Sequence, residues 1–261
     1  FIRLESMNRI KGWFKRCKEE SLLELFRIVL RKITSDKPRE SGYVPYLREE
    51  FVGLELGSHG MQKLIDGYVC ETILDIGCGK GVHSDIFIEN NKKVTSIDYG
   101  NSIYFKENKN KISAVVADFN TWETEEKFDA IWCSHVLEHQ LNVNAFLVKI
   151  FSLLKGDGVL AITVPPGESL VIGGHLTNWN AGILLYNLVL AGFDCSDASV
   201  LQYGYNITVI VKKVSGHAVD LSSLSYDCGD LRKITPYLPN VEYRSNDRDD
   251  PFKGNIYSLN W

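Results

Sequence analysis

The stretch LDIGCGKG at residues 74–81 places Asp75, Gly77, Gly79 and Gly81 at alternate positions. Bare backbone there lets a ligand lie against the main chain in the tight turn that joins a strand to a helix. The spacing disfavours two common phosphate loops. A dinucleotide fingerprint counted from Gly77 and Gly79 needs a third glycine at 82, which is Val82, and no Lys-Ser/Thr pair follows as a P-loop requires. An acid just ahead of the loop suits an ammonium better than a pyrophosphate. A second group lies in CSHVLEHQ, where His135, Glu138 and His139 are spaced three and four apart. On a helix they would share one face, offering two imidazoles and a carboxylate for proton transfer or metal ligation. H-x-x-E-H also spells an inverted zinc-peptidase motif. A third group, VPPGESLVIGGHLTNWN, holds Glu168, His175 and Trp179 in a Pro/Gly-rich loop, with Thr177 and Asn178 suited to capping the apolar helix that follows.

These residues fall at the ends of elements with a clear grammar. ETILDIG, KKVTSIDYG, SAVVADF, FDAIWCSH and GVLAITVPP read as buried strands, and residues 82–90 and 142–154 between them as helices. Strands alternating with helices predict an α/β, doubly wound, mostly parallel Rossmann-like sheet of seven strands. AGFDCSDASVLQYGYNITVIVKK supplies the last two strands, meeting near Gly204 with no room for a crossover helix, so the last strand should be antiparallel. The expected organisation is an N-terminal helical or lid segment over 1–69, a core over 70–213 and a C-terminal extension over 214–261, whose polar, Pro-containing sequence gives no clear element.

With these motifs in this order, residues 70–213 resemble the class I S-adenosylmethionine-dependent methyltransferases of the small-molecule type. The resemblance implies S-adenosylmethionine as cofactor. The Asp75, Gly77, Gly79 and Gly81 loop would hold its amino acid end, Asp75 lying near the ammonium. Asp98, twenty-one residues after Gly77 and followed by Tyr99, would accept hydrogen bonds from both ribose hydroxyls. Asp118 would meet the adenine amino group and Phe119 the ring. Ser134 and the residues after it, at the end of the fourth strand, would face the sulfonium and the acceptor. Peptidase chemistry is then disfavoured for His135, Glu138 and His139, because the motif ends a buried strand in this frame.

Three roles stay open for that cluster. His135 is the preferred general base, since an oxygen acceptor must lose its proton as it attacks the methyl carbon. Alternatively His135, Glu138 and His139 bind a divalent metal, as in the similar E-x-x-E-H stretch of ubiquinone-biosynthesis O-methyltransferases, from which His135 departs. Otherwise Glu138 and His139 cap and pack. His175 is expected near the acceptor pocket, and Tyr43, Tyr46 and His59 are expected to close over the cofactor. The expected reaction is methyl transfer to a small polar acceptor, a hydroxyl of a metabolite or of a sugar-like or lipid-linked precursor. N-methylation, and a non-catalytic cofactor-binding module, are the alternatives.

Composition narrows the partners. With 29 basic and 33 acidic side chains the net charge is −4, which gives no global footprint for nucleic acid. Six cysteines without C-x-x-C spacing fit reduced thiols in the cytoplasm. The chain has no apolar run of membrane-span length and no signal-peptide pattern. Residues 9–33 nonetheless form an amphipathic pattern with a basic polar face, eight Lys/Arg against three Glu over 9–32. That pattern is expected to be a lid or packing helix, with peripheral membrane contact as the alternative.

Overall fold

The computed structural model describes residues 44–108, 113–215, 219–227, 229–239 and 254–261. The amphipathic stretch at 9–33 and Tyr43 lie outside the described residues. Helices α1 (Glu49–Val52) and α2 (Ser58–Gly67) lead into β1 (Thr72–Ile76), α3 (Val82–Glu89) and β2 (Lys93–Asp98). Then follow α4 (Ile103–Asn108), β3 (Val115–Val116), β4 (Phe128–Ser134), a 3₁₀ turn (Leu137–His139) and α5 (Val143–Leu153). The chain continues through β5 (Leu154–Val164), α6 (Ala181–Leu190), β6 (Ser199–Tyr203) and β7 (Asn206–Lys212), to α7 (Asp230–Ile234) and β8 (Ser258–Leu259).

The strand order is β3-β2-β1-β4-β5-β7-β6-β8. The pairs from β3 to β5 are parallel, and β7 runs antiparallel between β5 and β6. The expected alternation is thus observed, with β3 much shorter than SAVVADF suggested. β6 and β7 form a hairpin around Gly204 and Tyr205, with Tyr203 opposite Asn206. One strand was not foreseen. Residues 258–259 pair antiparallel with Leu201 and Val200, making eight strands where seven were expected. The tail reads as polar, yet Ile234, Leu238 and Ile256 are buried in the main core, which supplies the hydrophobic reason for its docking.

Side chains along the central strands alternate between two layers, as the period of two requires. Leu74, Ile76, Ile131 and Cys133 join the core under α5 and α6. Ile73, Ala130 and Trp132 join Phe51, Met61, Leu64 and Phe87 on the other face, under α1, α2 and α3. The strand order reverses between β1 and β4, so the segments leaving their carboxyl ends diverge into a crevice. Such a switch point is where open α/β sheets bind ligands. No helix among the described residues is long and apolar enough to cross a membrane.

Candidate active site

The glycine loop leaves β1 and starts α3. Gly77, Gly79 and Gly81 all have positive φ, at 73°, 50° and 79°. Gly77 is packed tightly, for a Cβ there would lie 2.3 Å from Cγ2 of Val136. At Gly79 the nearest neighbour of such a Cβ is Cβ of Tyr104 at 3.9 Å, so this part of the loop is open to a ligand. The amides of Gly77 and Cys78 donate to the Ile97 carbonyl, and Gly79 N–H donates to Asp98 Oδ2 at 2.9 Å. Asp98 Oδ1 accepts from Gly100 N–H at 2.8 Å. Asp98 therefore ties the loop to the end of β2. Each of its oxygens keeps acceptor capacity for a further hydroxyl.

Asp75 sits behind the loop rather than in it. It is 1% exposed, and its Oδ2 accepts from Ser84 Oγ at 2.5 Å, with Ser96 Oγ 2.7 Å beyond. Burial pushes its carboxyl up to about 7, with the Ser84 hydrogen bond opposing and Asp98 adding to the rise. Burial likewise pushes the Cys78 thiol up to about 12, with Asp75 and Asp98 adding to it, which makes it a poor nucleophile. Asp118 Oδ1 accepts from the backbone and side-chain nitrogens of Asn120. Phe119 is buried edge-on to Phe146 at 5.0 Å, under the Lys149 ammonium. It is thus a core residue with little ring left for a ligand, whereas Tyr99 is exposed.

At the other side of the crevice, β4 ends at Ser134, whose Oγ is buried without a hydrogen-bond partner among the described residues. His135 is not helical. Its φ is +56°, and its N–H donates to Thr163 O at 2.9 Å. The expected helical face is replaced by this strand exit and the 3₁₀ turn, which still gather the three side chains. Glu138, 1% exposed, has Oε1 3.4 Å from His135 Nδ1 and 3.8 Å from His139 Nε2, and neither of its oxygens has a hydrogen-bond partner among the described residues. His135 is the enclosed imidazole: Nε2 lies 3.1 Å from Asn206 Oδ1, and Tyr205 stacks over the ring.

The loop after β5 adds His175. Leu176 N–H donates to Glu138 O at 2.8 Å, and the His175 and His139 rings meet edge to face at 5.0 Å. His139 Nδ1 is 2.6 Å from Gly174 O. A carbonyl only accepts, so Nδ1 carries the hydrogen and Nε2 presents a lone pair. Burial lowers the pKa of His175, partly offset by Glu138. One ligand atom from each of Glu138, His139 and His175 lies within 4.8 Å of the others. Among the described residues, the ligand atoms that converge are those of Glu138, His139 and His175, whereas the possible metal set drawn from sequence was His135, Glu138 and His139; the ring nitrogens of His135 face Asn206 and Glu138. The helix cap is also corrected: Asn180 Oδ1, not Thr177 or Asn178, accepts the Ile183 N–H at 2.8 Å.

The connector before β1 contributes other residues than those expected. Tyr46 is exposed, and His59 packs edge-on to Tyr203 in a cleft lined by Pro45, Gln62, Lys63 and Trp261. Instead Leu56 and Gly57 reach the site. His83 Nε2 donates to Leu56 O at 3.1 Å, leaving Nδ1 to accept the Trp132 Nε1–H at 3.2 Å. Burial lowers the His83 pKa to about 4. Gly57 N–H donates to Asn206 Oδ1 at 3.0 Å. No local motif marks Asn206, Tyr205 or Gly57 as site residues, because each arrives from a distant part of the chain.

Comparison with known proteins agrees with this architecture. The chain is 26% identical over 198 residues to (S)-coclaurine N-methyltransferase of Papaver somniferum, covering 62% of this chain and 56% of that protein. It is 31% identical over 97 residues to the ubiquinone biosynthesis O-methyltransferase of Rickettsia akari (strain Hartford), covering 35% of this chain and 39% of that protein. This chain thus spans about half or less of the length of these relatives. A similar fold occurs in the Burkholderia thailandensis 1,6-didemethyltoxoflavin-N1-methyltransferase, crystallised with 1,6-didemethyltoxoflavin and S-adenosylhomocysteine. That match has a TM-score of 0.50 at 19% identity, over 60% of this chain and 77% of that one. The profile of a methyltransferase domain matches residues 24–191, more than half of the chain. On that match, and with the glycine loop, Asp98 and the sheet order in place, the chain belongs to the methyltransferase-domain family with the class I S-adenosylmethionine-dependent fold.

Proposed function

We propose that this chain transfers the S-methyl group of S-adenosylmethionine to a hydroxyl oxygen of a small polar acceptor, whose proton leaves at Glu138, His139 and His175. The residues present fit the donor. A Cβ placed on Gly79 would meet no described neighbour closer than 3.9 Å, Asp98 keeps acceptor capacity for ribose hydroxyls, and Asp118 has Oδ2 for an adenine amino group. Bound S-adenosylmethionine would supply an electrophilic methyl carbon, whose bond to sulfur would break as the acceptor oxygen bonds to it. The protein's work is to position the two reactants and take the proton.

The observation that carries this reading is the fixed tautomer of His139, with Nδ1–H on Gly174 O and the Nε2 lone pair presented beside Glu138. An imidazole nitrogen so held can take a proton, and the Glu138 carboxylate would stabilise the imidazolium it becomes. The base role expected of His135 therefore passes to His139, which is 43% exposed where His135 is 10% exposed. The test is acceptor-dependent formation of S-adenosylhomocysteine over a panel of hydroxyl and amine compounds. His139→Ala should lower turnover on the order of 10²-fold while S-adenosylhomocysteine affinity, measured by calorimetry, stays the same. A folded His139→Ala protein with full turnover would remove His139 as base. Turnover confined to amines would replace the hydroxyl reading with N-methylation, as in the name of the Papaver relative.

A second reading of the same residues is favoured by the convergence of Glu138, His139 and His175. A divalent cation held by these three would lower the pKa of an acceptor hydroxyl. Gly174 O would orient His139 from behind, as outer partners of metal-bound histidines do. Chelators should then abolish turnover. Co(II) added to the protein should give a visible ligand-field spectrum that His175→Ala removes.

A further inference from the structure

Asn206 opens β7, is 3% exposed, and is the hub of a hydrogen-bond set that links three distant segments. Its Oδ1 accepts the Gly57 N–H at 3.0 Å, and its Nδ2 donates to Tyr203 O at 3.3 Å. A backbone N–H can only donate and a carbonyl can only accept, so the amide has one satisfactory orientation. That orientation turns Oδ1 to His135 Nε2 at 3.1 Å, so Nε2 carries a hydrogen. Nδ1 of the neutral ring is then a lone pair, facing Glu138 Oε1 at 3.4 Å.

The other neutral tautomer, with the hydrogen on Nδ1, would set the Nε2 lone pair against Asn206 Oδ1. Asn206 excludes it. We infer that Asn206 is a positioning residue for the proposed reaction: by holding the hydrogen of His135 on Nε2, it fixes the ring so that Nδ1 is turned to Glu138 Oε1. The inference rests on the reading that Glu138 lines the acceptor site. His135 is held in a left-handed backbone conformation that side chains rarely adopt, as is common at sites where geometry serves function. The titratable groups around the pair are His139 and His175 on the loop side, Cys133 on β4, Tyr205 over the ring and His83 from α3.

The test is nitrogen NMR of the full chain labelled with ¹⁵N-histidine, the His135 signals being assigned by their loss in His135→Gln. The wild type should show a hydrogen on Nε2. Asn206→Leu, similar in size but without an acceptor, should move the hydrogen to Nδ1, and Asn206→Asp, which keeps the acceptor, should restore it to Nε2. With a methylated acceptor in hand, Asn206→Leu should lower kcat on the order of 10-fold with an unchanged KM for the cofactor, and Asn206→Asp should recover most of it. A wild-type His135 with its hydrogen on Nδ1, or an unchanged His135 spectrum in Asn206→Leu, would overturn the inference. If Asn206→Leu does not fold, the wild-type tautomer alone decides. The NMR reading needs no acceptor, so a failure of the proposed reaction is distinguishable from a failure of the tautomer lock.

Discussion

Replacing Gly77 by alanine tests whether the glycine loop and the turn that carries Glu138 are one packed unit. Gly77 has φ +73°, and an added Cβ would stand 2.3 Å from Cγ2 of Val136. The backbone conformation alone disfavours a residue with a side chain by about 1–2 kcal/mol. Forcing a methyl group into a packed interior adds about 1–3 kcal/mol, because neighbours must move. The variant should therefore lose about 2–5 kcal/mol of stability by these two additions. Val136 is bonded to His135, whose φ is already +56°, so the displacement passes directly to the His135–Glu138 contact. Denaturant unfolding of Gly77→Ala, Val136→Ala and the double variant separates the two contributions. Val136→Ala removes the methyl that is struck, so the double variant should be more stable than additivity predicts, by on the order of 1–3 kcal/mol. Strict additivity, or a Gly77→Ala protein within about 0.5 kcal/mol of wild type, would refute the packing argument.

Asp75→Asn should stabilise the protein in a pH-dependent way. The carboxyl of Asp75 is raised from 3.8 to about 7 by burial, so the stability it contributes is fully present below about pH 3.8 and lost as pH rises through about 7. The variant cannot ionise there, and its advantage over wild type should grow across that window to a few kcal/mol, read from urea midpoints at several pH values; a difference that does not change with pH would show that Asp75 is not the group responsible. Asp98→Ala should weaken S-adenosylhomocysteine binding by about 1–3 kcal/mol in calorimetry, through lost hydroxyl contacts and release of the Gly79 amide. Unchanged affinity would move the ribose site away from β2.

Much of the cofactor side was legible in one dimension. The loop, the ends of β1 and β2, and the spacing from Gly77 to Asp98 are local features, written in alternating apolar runs and in glycines that must take positive φ. Phe119 shows the limit of that reading. Its position after β3 suggested a ring for adenine, but the packing of Phe146 and Lys149 around it makes it core. Asp75 likewise reads as a ligand-facing acid, yet Ser84 from α3 encloses it. In both cases the deciding neighbour belongs to a helix packed against the strand end, and no strand pattern specifies which way such a side chain turns.

The sequence by itself determined the α/β class, the antiparallel β6–β7 hairpin, the glycine loop and the Glu138–His139 pair, because each is written in local patterns of the chain. Tertiary structure alone decided which imidazole is enclosed and which is presented. Asn206 lies 71 residues from His135, and Gly57 lies 149 residues from Asn206, so the contact that sets the tautomer of His135 exists only once the sheet has formed. The same holds for His175, brought to His139 by the loop after β5, and for β8, whose two residues pair with β6 from the far end of the chain. Local spacing encodes backbone conformation, whereas the donor or acceptor role of a side chain is set by whatever partner the fold places against it.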